Sequence, residues 1–273
     1  MSESDEIVNP RTISPDYQRW KPLFKYLIGP NKTLGLEVGA FDRPIFTKAE
    51  MDVRFLDYKT TEVLRQQADA FVGHDGRFVE EVDYVVPGSG SWEDVPDGAF
   101  DWILSAHSLE HSPNLIAILR TMNAKLKPDG LVISMLPDKR RTFDALKPPT
   151  TLGQVFEDYY TGKISPRFQA AFDGLYYTRI FSIEEADRIH QQSATLIPSG
   201  MPVHECLKRA KASLQCYQDE HNYIFTSQTF ETIIREISAT GLIGMTTLLH
   251  EHTRDGEMTF LNILRKTDAP TDF

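Results

Sequence analysis

The stretch LGLEVGAFDRPIFTKAEMDVRFLDYK, Leu34 to Lys59, limits the fold more than any other part of the chain. Leu34 to Val38 is a short apolar run with the length of a buried parallel strand, and it runs into Gly39, Ala40 and a turn-rich segment. A second apolar run, Val53 to Leu56, ends on Asp57. The order is strand, glycine turn, crossover, strand with an acid at its tip. In an open α/β sheet such a turn lets a ligand approach the backbone, and an acid about 20 residues later accepts hydrogen bonds from ribose hydroxyls. The unit predicts a site for an adenosine. An ordinary glycine turn in a Rossmann-like domain without that ligand is the alternative.

The glycine pattern narrows the choice of cofactor. A dinucleotide fingerprint needs three glycines so that backbone and helix N-terminus meet a pyrophosphate. Here Gly39 stands alone, followed by Ala40, Phe41 and Asp42. Glu37, near the end of the first strand, repels a phosphate and suits a cationic amino group. A ribose, an adenine, an ammonium and a sulfonium fit this pattern better, and S-adenosylmethionine combines them.

With 273 residues, one α/β domain carrying an insertion is the expected organisation. The net charge of −10 argues against nucleic acid or an anionic membrane as partner, leaving a small-molecule substrate. Cys206 and Cys216 form no CxxC or zinc spacing, which fits a reducing cytoplasm. The opening MSESDEIVNP lacks the basic segment and apolar core of a signal peptide, and no apolar run reaches the length of a membrane span. The expected location is cytoplasmic.

Along the chain, Tyr17, Trp20, Leu23, Phe24, Leu27 and Ile28 recur at helical spacing, a pattern that favours core packing over a cofactor box. Thr60 to Ala70 reads as a helix and Val82 to Val86 as a third strand. Ser89, Gly90, Ser91 and Trp92 then fall on a loop at a strand tip, where Trp92 either stacks on adenine or caps the core. Phe100 to Ala106 is a strand, and a helix starting near Ser105 or Ala106 puts His107, Glu110 and His111 on one face. Three readings of that face stay open: a histidine general base, a divalent metal held by His107, Glu110 and His111, or buried groups satisfying the backbone. No metal is required by the reading as a whole. Ile116 to Lys125 is helical, Lys127 to Gly130 a turn, and Leu131 to Leu136 a fifth strand. Gln228 to Thr240 is a helix, and Met245 to Glu251 with Met258 to Leu264 flank Asp255-Gly256 as an antiparallel hairpin. His221, just before the last helix, is a further candidate base.

The segments LEVGAFDRP, FLDYK, FDWILSAHSLEH and LKPDGLVISMLPDKR together resemble the class I S-adenosylmethionine-dependent methyltransferases, most closely the type 11 methyltransferase domain, over Leu34 to Asp138. PDKRRTFDALKPPTTLGQVFEDYY is similar to a bacterial subgroup associated with sugar and surface-polysaccharide biosynthesis. The resemblance implies a Rossmann-like, doubly wound seven-stranded sheet closed by the C-terminal hairpin, with a mainly helical insertion after the fifth strand. It divides the chain into a tail and covering helix (1–30), a cofactor-binding core (31–138), a substrate cap (139–226) and a closing helix and hairpin (227–273). It implies that Glu37, Gly39 and Ala40 line the methionine moiety, Asp57 binds the ribose, Ser89, Gly90, Ser91 and Trp92 flank adenine, and Ala106 adjoins the cofactor. In the insertion, Lys139, Arg140, Tyr159 and Tyr160 are candidates for binding a polar ring bearing carboxylate or phosphate. A solvated basic triplet with self-packing aromatics, or a dimerisation arm giving a homodimer, are the other readings. The expected activity is methyl transfer to an oxygen of a small, polar, sugar-derived substrate, with His107 ahead of His111 and His221 as base. A non-catalytic cofactor-binding or partner-stabilising module is the alternative, favoured by the departure from a GxGxG loop at Phe41 and Asp42.

Overall fold

Short runs of β-branched and aromatic residues, separated by amphipathic helices, assemble into one seven-stranded sheet. The computed structural model describes residues 15–29, 34–86, 91–178, 185, 200–214 and 219–272. In chain order the elements are α1 (Pro15–Ile28), β1 (Gly35–Val38), β2 (Val53–Asp57), α2 (Thr61–Ala70), β3 (Tyr84–Val85), β4 (Phe100–Ala106), α3 (Leu115–Lys125) and β5 (Leu126–Pro137). They continue with α4 (Leu152–Tyr160), α5 (Phe168–Tyr177), α6 (Val203–Ala210), α7 (Ser227–Ala239), β6 (Met245–Glu251) and β7 (Thr259–Lys266). The strand order is β3-β2-β1-β4-β5-β7-β6, with every neighbour parallel except at the pairs formed by β7. This is the doubly wound α/β sheet with a closing antiparallel hairpin that the sequence predicts.

Both faces of the sheet are covered, which explains why its central strands read as continuous apolar runs. On one face Trp20, Phe24 and Ile28 of α1 pack with Phe46, Trp102, Leu104 and Met135. On the other, Leu119 and Met122 of α3 and Phe230, Ile234 and Ile237 of α7 pack with Ile103, Val132 and Phe260. The aromatic stripe of α1 is therefore core. Gly35 sits against the Trp102 indole, where an added Cβ would come within 2.0 Å of the ring. The side chains of Thr60, Asn114, Thr151 and Thr226 each cap a helix N-terminus.

The chain after β4 departs from expectation. No helix begins near Ser105; the strand runs to Ala106, and Leu109–His111 form a single 3-10 turn. α3 starts at Leu115, capped by Asn114. The Lys127 to Gly130 turn lies within the span of β5, with Asp129 at φ 60°. No described helix is long and apolar enough to cross a membrane.

The insertion after β5 is joined to the sheet by residues 219–226. Backbone N–H groups of Asn222 and Tyr223 both donate to the Glu110 carbonyl, at 2.9 and 3.0 Å, and Lys139 N–H donates to Phe225 O at 2.7 Å. Tyr223 donates its hydroxyl to Asp158 at 2.8 Å, and Arg167 pairs with the same carboxylate. This return segment brings insertion side chains to the carboxyl ends of β1 and β4.

Candidate functional site

At the carboxyl ends of β2, β1 and β4 lies a cavity of about 660 Å³, within the size range of small-molecule sites. Val38, Asp57 and His107 mark the three strand tips in its wall. Val38 pairs in register with Leu56 on one side and Ser105 on the other, so Asp57 and Ala106 stand level, two strands apart. That separation is roughly 10 Å from the ordinary strand spacing.

At the β2 tip, Asp57 is buried and its Oδ1 accepts from Tyr58 N–H at 2.7 Å and Lys59 N–H at 3.4 Å. Among the described residues no donor reaches Oδ2. Burial pushes its carboxyl up to about 6, against the lowering pull of the two backbone hydrogen bonds. Trp92 is buried in the main core and also lines the cavity. Ser91 lines it as well, whereas Ser89 and Gly90 lie outside the described residues.

Behind β1, Gly39 has φ +67°, and an added Cβ would stand 2.9 Å from Ser108 Cβ. The next turn places Phe41 in the cavity wall with φ 48°, a conformation unusual for a bulky side chain. Glu37 and Ala40 are not part of the wall; Ala40 packs against the α1 core. Glu37 turns beneath the loop, accepting from Ile45 N–H at 2.8 Å and Phe46 N–H at 3.3 Å. Desolvation by burial pushes it up to about 8. Its carboxyl thus sits under the loop, tied to the loop's backbone. Ala106, at the end of β4, likewise packs in the α1 core.

At the β4 tip His107 has φ 49°, lines the cavity, and shares a hydrogen bond of 2.9 Å between Nε2 and Thr259 Oγ1. His111 lines the same wall, its Nδ1 2.9 Å from Asp219 Oδ1. Burial lowers the affinity of His111 for a proton, but Asp219, Glu110 and Asp144 outweigh it and raise it above the ordinary value. His221 lies behind, with its ring edge-on to His111 at 4.6 Å and Nδ1 2.5 Å from Asp144 Oδ2. The three candidate histidines therefore gather around one point, but not through helical spacing. The shared neighbour is Glu110, which is fully buried, with Oε1 4.0 Å from His107 Nδ1, 3.9 Å from His111 Nε2 and 3.9 Å from His221 Nε2.

The insertion candidates go elsewhere. Lys139 is buried and donates to Ala145 O at 2.8 Å; Arg140 clamps Asp138. Tyr159 donates to Asp272 at 3.3 Å, and Tyr160 is exposed. None of the four lines the cavity; Lys163, Ile164 and Asp219 do. Lys163 and Ile164 follow the Tyr159–Tyr160 pair in the chain. Asp219 carries no motif and no periodicity.

The residues fit an adenosine-bearing methyl donor. The Gly39 turn brings left-handed backbone to the cavity wall, Asp57 keeps an acceptor without a donor, and the turn lacks the glycines a pyrophosphate needs. Solved structures align over most of the chain. A Rhodobacter sphaeroides protein provisionally described as a Zn-dependent alcohol dehydrogenase aligns with a TM-score of 0.50 at 14% identity, over 92% of this chain and 90% of that one. A 1,6-didemethyltoxoflavin-N1-methyltransferase of Burkholderia thailandensis gives 0.48 at 15%, over 93% and 79%. A Mesorhizobium loti S-adenosylmethionine-dependent methyltransferase gives 0.44 at 11%, over 89% and 96%. No curated protein sequence matches. A family model does, described as a methyltransferase domain and matched over residues 36–237, well beyond the Asp138 at which the motif resemblance ends. That match includes the β1, β2 and β4 tips, the 3-10 turn, the insertion and most of α7, so the chain belongs to the methyltransferase-domain family.

Proposed function

We propose that this protein is an S-adenosylmethionine-dependent methyltransferase acting on an oxygen of a small, polar, sugar-derived acceptor. The observation that carries the reading is one cavity with an acid at the β2 tip and a histidine pair at the β4 tip, two strands apart. Asp57 Oδ2 is the acceptor for ribose hydroxyls, the Gly39 turn allows close backbone approach, and Trp92 offers an aromatic face to adenine. The bound cofactor supplies an electrophilic methyl group on a sulfonium.

Transfer to a hydroxyl depends on alignment of the acceptor and on removal of its proton. His107 is the base in this reading: it lines the cavity, and Thr259 fixes its ring through Nε2. Lys163 and Asp219 bring a cation and an anion to the same wall from the insertion, which suits a polar acceptor. The similarity to methyltransferases of surface-polysaccharide biosynthesis makes sugars and nucleotide sugars the first acceptors to screen.

Calorimetric titration of S-adenosylhomocysteine into wild type and Asp57→Ala tests the cofactor site. Binding by the wild type and its loss in the variant support it; no binding by the wild type overturns the enzyme reading. Labelled methyl transfer then tests His107→Asn, chosen because asparagine tolerates the left-handed backbone at this position. Transfer should fall at least 100-fold while cofactor affinity is retained, and an unchanged rate would remove His107 from the chemistry.

A further inference from the structure

Glu110 is the least expected residue in the site. It is fully buried, and neither side-chain oxygen has a hydrogen-bond partner. A buried carboxylate without partners costs several kcal/mol unless another charge compensates it. Three imidazole nitrogens face it: Nε2 of His111 and Nε2 of His221, each 3.9 Å from Oε1, and Nδ1 of His107 at 4.0 Å, whose ring is held by Thr259 through Nε2. The potential ligand atoms of Glu110, His111 and His221 lie within 4.8 Å of one another.

His111 and His221 each have a carboxylate behind them. His111 Nδ1 faces Asp219 at 2.9 Å, and His221 Nδ1 faces Asp144 at 2.5 Å. The His221 contact is a hydrogen bond that fixes the ring with Nε2 as a lone-pair donor, as in carboxylate–histidine–metal arrangements, whereas Asp219 stands beside His111 Nδ1 at ion-pair distance without hydrogen-bond geometry. The charges point the same way. With both imidazoles neutral, Glu110, Asp144 and Asp219 contribute three negative charges, and Lys147, 2.6 Å from Asp144, is the ammonium in direct contact. Asp219 is half exposed and is also met by the Tyr58 hydroxyl, so the charge that calls for a cation is that of the buried Glu110.

We propose that Glu110, His111 and His221 form a binding site for a divalent transition-metal cation of the zinc type, with Asp144 orienting His221 and Asp219 beside His111. Two imidazoles and one carboxylate leave coordination positions open, as in catalytic rather than structural sites. Tetrahedral geometry with bonds of roughly 2.1 Å puts ligand atoms about 3.4 Å apart, so the two Nε2 atoms, each 3.9 Å from Glu110 Oε1, must close in on binding. The set differs from the one the spacing predicts, because His221 replaces His107. His107 is left as base, and His111 places the cation at the cavity wall. There the cation would bind the acceptor hydroxyl and lower its pKa, with the proton passing to His107. That role rests on the methyl-transfer reading; the binding itself does not. The competing arrangement is a pair of imidazolium ions neutralised by the three acids, with no metal.

The test is titration of Zn²⁺, and separately Co²⁺, into chelator-treated, dialysed full-length protein, followed by calorimetry and by visible absorption of the cobalt form. Wild type should take up one equivalent at this site, and Glu110→Gln and His221→Gln should each weaken it at least 100-fold with thermal melting retained. Asp144→Asn, which keeps all three ligands, should weaken it 10- to 100-fold and alter the cobalt spectrum. Glu231, His250 and His252 form a second, more exposed group, so His252→Ala is the control that must leave the equivalent in place. Absence of binding, or binding lost with His252→Ala but not with Glu110→Gln, overturns the proposal. S-adenosylhomocysteine titrated into the same samples separates the two readings. Cofactor binding without metal binding removes the metal site alone, and metal binding without cofactor binding removes the methyl-transfer reading alone.

Discussion

At the scale of single residues, the site is built from backbone conformations that most side chains avoid. Gly39 is at φ +67° with Ser108 pressed against the position of a Cβ. Gly39→Ala should therefore cost about 1–3 kcal/mol, seen as a melting temperature lower by several degrees, and should weaken S-adenosylhomocysteine in proportion to the lost approach. A variant as stable as wild type would mean that the turn relaxes freely. Glu37 gives a pH-dependent counterpart. Its folded-state value of about 8 lies above the ordinary 4.5, so between those values the folded protein holds a proton that the unfolded chain releases. Its contribution to stability is complete below pH 4.5 and is lost as pH rises toward 8, at up to about 1.4 kcal/mol per unit. Thermal melts of Glu37→Gln should lack this decline. Parallel pH curves for variant and wild type would show that Glu37 is ionised in its pocket.

At the scale of elements, what could be read from the sequence depended on how local the signal was. The strands were legible because an apolar run ending on Asp57 or followed by His107 needs no distant partner to be recognised. The helix assumed to follow β4 was misplaced although a local signal was present: Ser112 precedes Pro113, which disfavours helix there, and Asn114 is a preferred N-cap. Lys139 and Arg140 misled for the opposite reason, because their partners are set by tertiary contacts. Buried Asp138 accepts from Arg140 Nε at 2.9 Å and Thr253 Oγ1 at 2.9 Å, which ties the end of β5 to the loop between β6 and β7. Burial raises its carboxyl, but the Arg140 pair and Thr253 outweigh that and hold it below the usual carboxylate range. Asp138→Ala should destabilise by about 3–5 kcal/mol, measured by urea unfolding, because it strands a half-buried guanidinium. Arg140→Met, which removes the other partner, should also destabilise through the carboxylate left behind; if neither variant changes the midpoint, the pair is ornamental.

At the scale of the whole molecule, the connection of insertion to sheet decides whether the cavity is a fixed feature. Asp144 and Asp219 left no sequence signal because their partners His221 and His111 come from segments far apart in the chain and meet only through the return segment 219–226. That segment is anchored at both ends. Tyr223 and Phe225 belong to the main core, Thr150 and Ile224 exchange backbone and side-chain hydrogen bonds at 2.8 Å, and Asn114 at the α3 cap donates to Asp158 O at 2.9 Å. Such a seam couples the insertion to the sheet, since neither side can open without exposing buried donors and acceptors. The expected outcome in scanning calorimetry is one cooperative transition. A ligand that binds only the folded protein, at 100 times its dissociation constant, stabilises by about 2.7 kcal/mol, and S-adenosylhomocysteine at that excess should raise the entire transition by roughly 5 °C. Asp158→Ala is the decisive variant, because it removes the acceptor of Tyr223 and the partner of Arg167 without touching the cavity wall. Loss of the seam should split the transition, with the cofactor moving only the part that contains β1, β2 and β4. Two transitions already present in the wild type, one of them insensitive to S-adenosylhomocysteine, would instead mean that the insertion is only loosely attached and that Lys163 and Asp219 have no fixed place at the site.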